Sequence, residues 1–161
     1  MRSRAFFNAC IAALAIFAAA CGSSASSTGS GATAPSASPG ATTITIAVAT
    51  DAKLGTFLVD GAGSTLYLFA ADKGTTSTCY TTCAQYWPPV LTNGAPVAGT
   101  GVNAALLGTI ARTDGGTEVT YGGHPLYYVV TDKNPGDTTG QGVKNFGALW
   151  DVVGPDGKQI G

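Results

Sequence analysis

The chain has 161 residues, room for one domain once an N-terminal extension is set aside. Only 11% of residues are charged, with 8 Lys and Arg against 9 Asp and Glu, and setting aside Arg2 and Arg4 leaves 6 against 9, about minus three. Six scattered cations form no basic patch, which excludes phosphate-backbone binding and a nucleic-acid partner, while 23 glycines amid abundant Ala, Thr and Ser suit short strands and tight turns rather than long helices.

Residues 1–20 combine Arg2 and Arg4, an apolar run from Ala5 to Ala20 broken by Asn8, and small residues before Cys21. A positive end, an apolar core too short to span comfortably and a small-residue cut site describe a secretory signal. Cys21 directly after Ala18-Ala19-Ala20 resembles a bacterial lipobox, with Ala18 where Leu is more usual. The resemblance implies acylation of Cys21 and a lipid anchor on the extracytoplasmic face of the cell membrane; plain cleavage near Ala20 and, behind it, an uncleaved anchor are the alternatives. From Gly22 to Thr43 there is no charge and no side chain larger than Thr or Pro, so residues 21–43 are expected to be a disordered linker with an average reach of roughly 25 Å. With Cys10 in the leader and Cys21 lipidated, Cys79 and Cys83 remain as a pair, expected as a disulfide outside the cytoplasm.

The globular part, residues 44–161, begins with alternating Ile44 to Val48, a half-buried strand, and a turn at Asp51 to Gly55. Thr56–Asp60 and Thr65–Ala70 read as strands joined through Gly61-Ala62-Gly63, with Tyr67 and Phe69 on one face and Leu66 and Leu68 on the other. Thr75 to Thr82 reads as a loop stapled by the cysteines. Gln85 to Leu91 reads as an extended arm or edge strand anchored by Trp87, because Pro88 and Pro89 cannot donate to a ladder. Thr92 to Gly101 reads as a connector, and Asn103 to Leu107 as one helical turn capped by Asn103.

The order then repeats. Thr109-Ile110-Ala111 echoes Thr45-Ile46-Ala47, Thr117–Tyr121 replaces the second strand, Gly122-Gly123 turns, and Leu126–Val130 matches Leu66–Ala70. Tyr127 precedes Asp132 by the same five residues that separate Tyr67 from Asp72, and Trp150 answers Trp87. Two units, about 44–91 and 109–153, each too small to enclose a core, are expected to pack on one another as an all-β domain with pseudo-twofold symmetry.

Tyr67-x-Phe69-x-x-Asp72, the Cys79 and Cys83 pair and Trp87-Pro88-Pro89 resemble a family of secreted bacterial lipoproteins carrying a repeated Tyr-x-(Phe/Trp/Tyr)-x-x-Asp pattern. The second copy keeps Tyr127 and Asp132 but has Val129 at the aromatic position and no cysteine pair. The resemblance covers nearly all of the chain beyond the leader and implies a cell-surface repeat lipoprotein; it brings no catalytic residues.

The chemistry-bearing residues have structural readings beside functional ones. Asp72 and Asp132 follow strands, where a carboxylate accepts backbone N–H groups of the next loop; the alternative is a twin-carboxylate cation or acid–base site. Cys79-x-x-x-Cys83 lies in loop sequence rather than as Cys-x-x-Cys at a helix start, which favours a staple over redox chemistry. His124 is the only histidine and sits in a Gly-Gly-His-Pro turn, so metal ligation or a hydrolase would rest on it alone. Trp87, Tyr128 and Trp150 are the residues named for a ligand cleft, most of the remaining aromatics being expected in the core. The resulting expectation is a non-catalytic binding or structural module of the cell envelope, with no metal or cofactor; the alternative is a redox or small-ligand carrier using the aromatic cleft or the cysteines.

Overall fold

In the computed structural model, which describes residues 43–161, two similar hairpins flank a third sheet that both repeats build. The expected leader, linker and Cys21 lie outside the described residues. Hairpin one pairs β1 (Thr45–Asp51) with β2 (Gly55–Asp60), antiparallel from Ile46 opposite Asp60 to Asp51 opposite Gly55. Its turn is fixed by Asp51 Oδ1, which accepts the N–H groups of Lys53 and Leu54 at 2.7 and 3.0 Å. After β3 (Tyr67–Phe69) and helix α1 (Thr82–Tyr86), the short β4 (Val97–Ala98) lies parallel to β1. A 3₁₀ turn, Ala104–Leu106, begins where Asn103 Oδ1 accepts the Ala105 N–H, as the capping signal predicts. Hairpin two pairs β5 (Leu107–Ala111) with β6 (Thr117–Tyr121) and continues through Gly122 and Gly123, both at positive φ, into β7 (His124–Pro125). The third sheet runs β3, β9 (Ala148–Val152), β8 (Val143–Asn145).

The repeats are joined by exchange of their last segments. In repeat one, Leu66 N–H donates to Leu58 O and Leu58 N–H to Val153 O; in repeat two, Leu126 N–H donates to Val119 O and Val119 N–H to Val90 O. Thus the chain after Trp150 completes the sheet edge of repeat one, and the chain after Trp87 completes that of repeat two. Along the same exchange Leu68 faces Asp151 and Phe69 faces Trp150, while Tyr128 N–H donates to Pro88 O and Val130 N–H to Tyr86 O. Tyr67 and Tyr127 meet on the pseudo-twofold axis and exchange both backbone hydrogen bonds at 2.9 Å, as a directly opposed antiparallel pair does.

The alternation at Leu66 to Phe69 feeds two cores. Tyr67, Phe69, Trp87, Tyr127, Trp150 and Val152 lie in one cluster, while Leu58, Leu66, Leu68, Val119, Leu126 and Val153 lie in the other. Each cluster draws on both repeats, so neither repeat dries an interior by itself.

Four local expectations are corrected. Hydrogen bonding makes Leu58 and Val119 equivalent; Val48 faces the first and Thr109 the second, so Thr109 corresponds to Val48 and not to Thr45. The shared Thr-Ile-Ala letters misled because strand equivalence is fixed by pairing register, not by composition. Thr82 to Tyr86 forms a helical turn, where the sequence suggested loop passing into an extended arm. Val97–Ala98 and Val143–Asn145 are strands that glycine-rich surroundings concealed. Finally, Leu126–Val130 is extended chain bonded to the Trp-Pro-Pro arm rather than a regular strand, since proline removes donors from its partner.

Candidate functional site at the repeat junction

At the junction the paired motif residues reach across to each other's repeat. Tyr67 Oη donates to Asp132 Oδ2 at 2.7 Å, and Tyr127 Oη donates to Asp72 Oδ2 at 2.6 Å. The second carboxylate oxygen holds the loop that follows: Asp72 Oδ1 accepts the N–H and hydroxyl of Thr78, and Asp132 Oδ1 accepts those of Thr139. The motif is therefore a joint. One oxygen of each aspartate orders its own loop, as the sequence suggests, and the other clamps the opposite repeat, which no local spacing reveals. Burial first, and then the bonded carboxylate, pushes the Tyr67 hydroxyl well above its ordinary range; for Tyr127 burial is followed by the charge of Glu118 and the bond to Asp72. Both remain protonated donors.

Between these joints the aromatic rings stack. Trp87 lies on Trp150 at 4.0 Å and 6°, and Phe69 lies on Trp150 at 4.1 Å and 10°. Two rings so close and so nearly parallel to a third must cover opposite faces of it, so Phe69, Trp150 and Trp87 form one three-ring stack. Tyr67 meets Trp87 edge-on at 5.5 Å, and Tyr127 meets Trp150 edge-on at 5.1 Å, the same contact in both repeats. Such pairs contribute about 0.5–1.5 kcal/mol each beyond area burial. Gly140 leaves room for this packing: a Cβ there would lie 2.8 Å from both Trp87 Cη2 and Tyr67 Cε1.

The three residues named for a ligand cleft are not brought together in one. Trp150 is fully enclosed and donates its indole N–H to Asn145 O at 3.2 Å. Tyr128 packs with the other core and donates to Asp60 Oδ2 at 3.0 Å, beside a dent of about 450 Å³ that Asp132 and Lys133 also line. Trp87 alone borders a separate pocket of about 200 Å³, with Val129, Tyr86, Thr131, Thr139 and Val143.

Cys79 and Cys83 form a disulfide, and both are buried. Their loop is held by Arg112, whose Nη2 donates to Cys79 O at 2.9 Å and whose Nη1 donates to Ser77 Oγ at 2.9 Å and to Glu118 Oε2 at 2.7 Å. Since Ser77 Oγ receives that bond and Tyr127 gives its proton to Asp72, the polar chain runs Arg112, Ser77, Tyr127, Asp72. Burial raises the Glu118 carboxyl to about 7 despite the opposing Arg112 charge, and Asp72 adds to the rise. Glu118 Oε1 is buried without a hydrogen-bond partner among the described residues. For Arg112, burial opposes the charge, yet Asp114 and Glu118 outweigh it and push the guanidinium further up. Sequence reading missed this network, although Arg112 and Glu118 are the sole arginine and glutamate of the globular part. His124 is half-buried in its hairpin beside Tyr121. Among the described residues no group of three or more His, Cys, Asp or Glu could hold a metal ion, and no helix is long and apolar enough to cross a membrane.

No curated protein and no solved structure matches the chain. A family described as a secreted repeat of unknown function matches twice, over residues 48–91 and 108–154, and each match holds one tyrosine, one aspartate and one tryptophan of the junction. These two stretches span more than half of the sequence, and the chain belongs to that secreted repeat family.

Proposed function

We propose that this chain is a lipid-anchored extracytoplasmic module with a non-catalytic binding or structural role in the cell envelope. The observation that carries the reading is the use made of the repeated motif: Tyr67 and Tyr127 donate to Asp132 and Asp72, so the residues that define the repeat are spent in joining its copies. Each of these groups is held in a fixed geometry by the opposite repeat, which supports a structural use of the motif. The buried Cys79–Cys83 disulfide supports an oxidising compartment, and its enclosure supports a staple over thiol exchange, which needs an accessible sulfur. The lipobox-like Cys21 supports the anchor.

Anchoring is tested by metabolic labelling with a palmitate analogue and membrane fractionation of the wild type and of Cys21→Ala. Label and membrane recovery in the wild type, both lost in the variant, are expected; unlabelled wild type in the soluble exported fraction overturns the anchor. The non-catalytic role is tested by assaying purified protein for hydrolase and thiol-oxidase turnover. Turnover that Asp72→Asn or Cys83→Ser abolishes without unfolding the protein overturns that part.

A further inference from the structure

Four enclosed rings and one exposed ring of the junction form a continuous array. Trp87 and Trp150 stack face to face at 4.0 Å and 6°, and two stacked indoles share a missing electron between them, so the pair gives one up more readily than either ring alone. Each indole carries a tyrosine edge-on, Tyr67 on Trp87 at 5.5 Å and Tyr127 on Trp150 at 5.1 Å. Each tyrosine already directs its proton at a carboxylate oxygen, 2.7 Å away on Asp132 and 2.6 Å away on Asp72. These four rings are all 2% exposed or less. The array reaches solvent through Tyr86, the residue before Trp87, which is 53% exposed and borders the same small pocket as Trp87.

We infer that this array is a one-electron relay: an oxidant of the radical or high-valent metal class arriving at Tyr86 draws an electron out through Trp87 and Trp150, and the vacancy comes to rest on Tyr127. The oxidant gains the one electron that the tyrosine loses. At Tyr127 the O–H bond breaks, Asp72 Oδ2 forms an O–H bond with the same proton across 2.6 Å, and a neutral tyrosyl is left beside a neutral carboxylic acid. A reductant that returns one electron at Tyr86 reverses both moves. Burial favours the oxidised pair, because it passes from one negative charge to none where Tyr127 is fully enclosed and Asp72 is 6% exposed. A tyrosine without such an acceptor would leave a positive charge in the apolar core instead. Tyr67 takes the same step toward Asp132, but that carboxylate is only partly buried, so the gain is smaller and Tyr127 is the deeper resting place. Enclosure also keeps the radical from meeting a second chain. The joints that hold the repeats together thereby acquire a second use, one that does not depend on the lipid anchor.

Trp87 and Trp150 are the only tryptophans, so any tryptophanyl radical of the chain belongs to the stacked pair. The purified full chain is oxidised with photogenerated ruthenium(III) tris-bipyridine and followed by transient absorption and freeze-quenched electron paramagnetic resonance. Expected are a tryptophanyl signal that decays as a tyrosyl signal grows, slower growth in deuterium oxide because proton and electron move together, and little dityrosine cross-linking between chains. In Tyr86→Phe, whose ring this reagent does not oxidise, the yield of both signals is expected to fall several-fold. Asp72→Asn combined with Asp132→Asn keeps both tyrosines but removes the proton acceptors, and the tryptophanyl signal is then expected to outlive that of the wild type several-fold. The deuterium and cross-linking measurements need only the wild type, and Tyr86→Phe alters an exposed ring, so the test stands should the aspartate variant fail to fold. A tryptophanyl signal with no tyrosyl successor, growth indifferent to deuterium, an unchanged yield in Tyr86→Phe, or ready cross-linking of the wild type overturns the inference.

Discussion

The two tyrosine–aspartate joints share a motif but not an environment, and removing one hydroxyl from each separates the two. In Tyr127→Phe, Asp72 loses a 2.6 Å donor and the Ser77 hydroxyl loses its acceptor, in a place where Tyr127 is fully enclosed and Asp72 is 6% exposed. A hydrogen bond to a charged group is worth about 1.5–3 kcal/mol, and a buried partner left short bears the full desolvation cost. In Tyr67→Phe, Asp132 loses a 2.7 Å donor but is only partly buried, so water takes the vacated oxygen, and the Gly140 N–H loses only a long 3.3 Å acceptor, so the loss is about 0.5–1.5 kcal/mol. Tyr127→Phe is therefore expected to be the more destabilising by roughly 1–2 kcal/mol, a gap of about 5 °C in Tm for a domain of this size. Guanidinium denaturation followed by tryptophan fluorescence, with thermal unfolding by circular dichroism, measures both variants. A double-mutant cycle of Tyr127→Phe with Asp72→Asn isolates the pair, and a coupling above about 1 kcal/mol is expected. Equal losses at the two sites, or a larger loss at Tyr67, refute the claim that burial on the Asp72 side sets the difference.

Gly140→Ala places a methyl against Trp87 and Tyr67 at 2.8 Å and is expected to cost about 1–3 kcal/mol by overpacking, read as a lower denaturation midpoint. Glu118 gives a pH dependence. Its carboxyl is raised from 4.5 to about 7 in the fold, so the folded chain holds a proton there that the unfolded chain releases. The resulting stabilisation is complete below the unfolded value, is lost as pH rises through about 7, and is on the order of 3 kcal/mol at most. Arg112, Asp72, Tyr127 and Ser77 face this carboxyl, and Asp51, Asp114, Asp137 and Asp156, all lowered from 3.8, act only below that window. Tm is expected to fall between pH 5 and pH 7.5, with Glu118→Gln flattening the slope; a wild-type Tm that rises over that range counts against it. Opening the Cys79–Cys83 ring by Cys79→Ser with Cys83→Ser removes about 2 kcal/mol in the chain-entropy account and loosens the loop that Arg112 holds, seen as faster amide exchange at Thr78.

Much of the fold was legible in the sequence because it rests on periodicity. Alternation at Leu66-Tyr67-Leu68-Phe69 placed two faces, and the structure buries both, one in each core. The duplication was legible from Tyr67, Asp72 and Trp87 and their counterparts, since these hold fixed positions relative to a strand end. The exchange of segments was not. Which edge Val90 or Val153 completes depends on contacts some 29 to 95 residues apart, and the local pattern of a strand is the same whether its partner lies in its own repeat or the other. The cleft residues were hidden for a related reason. Trp87, Tyr128 and Trp150 are alike in having an apolar ring with a polar handle, but their exposure is set by what the other repeat lays against them.

Exchange also explains where the two repeats are free to differ. A residue whose backbone is shared across the junction must keep its partner satisfied, as Tyr67, Tyr127, Asp72 and Asp132 do reciprocally. Side chains directed away from that reciprocity need satisfy only one setting. Leu58 corresponds to Val119, so the preceding Phe57 corresponds to Glu118: an aromatic in one core wall is replaced by a buried carboxylate in the other, and Arg112 with Ser77 and the Cys79 carbonyl answers it. Phe69 corresponds to Val129, and there the chain closes over the smaller side chain, leaving Trp87 only 2% exposed. The first divergence is compensated within the protein by charge and hydrogen bonds, and it makes the Asp72 joint the buried and pH-sensitive one. The second is compensated by packing: Trp150 covers one side of Trp87, Tyr67 meets it edge-on and Gly140 lets the chain approach it closely, so the loss of one ring is absorbed without opening the core.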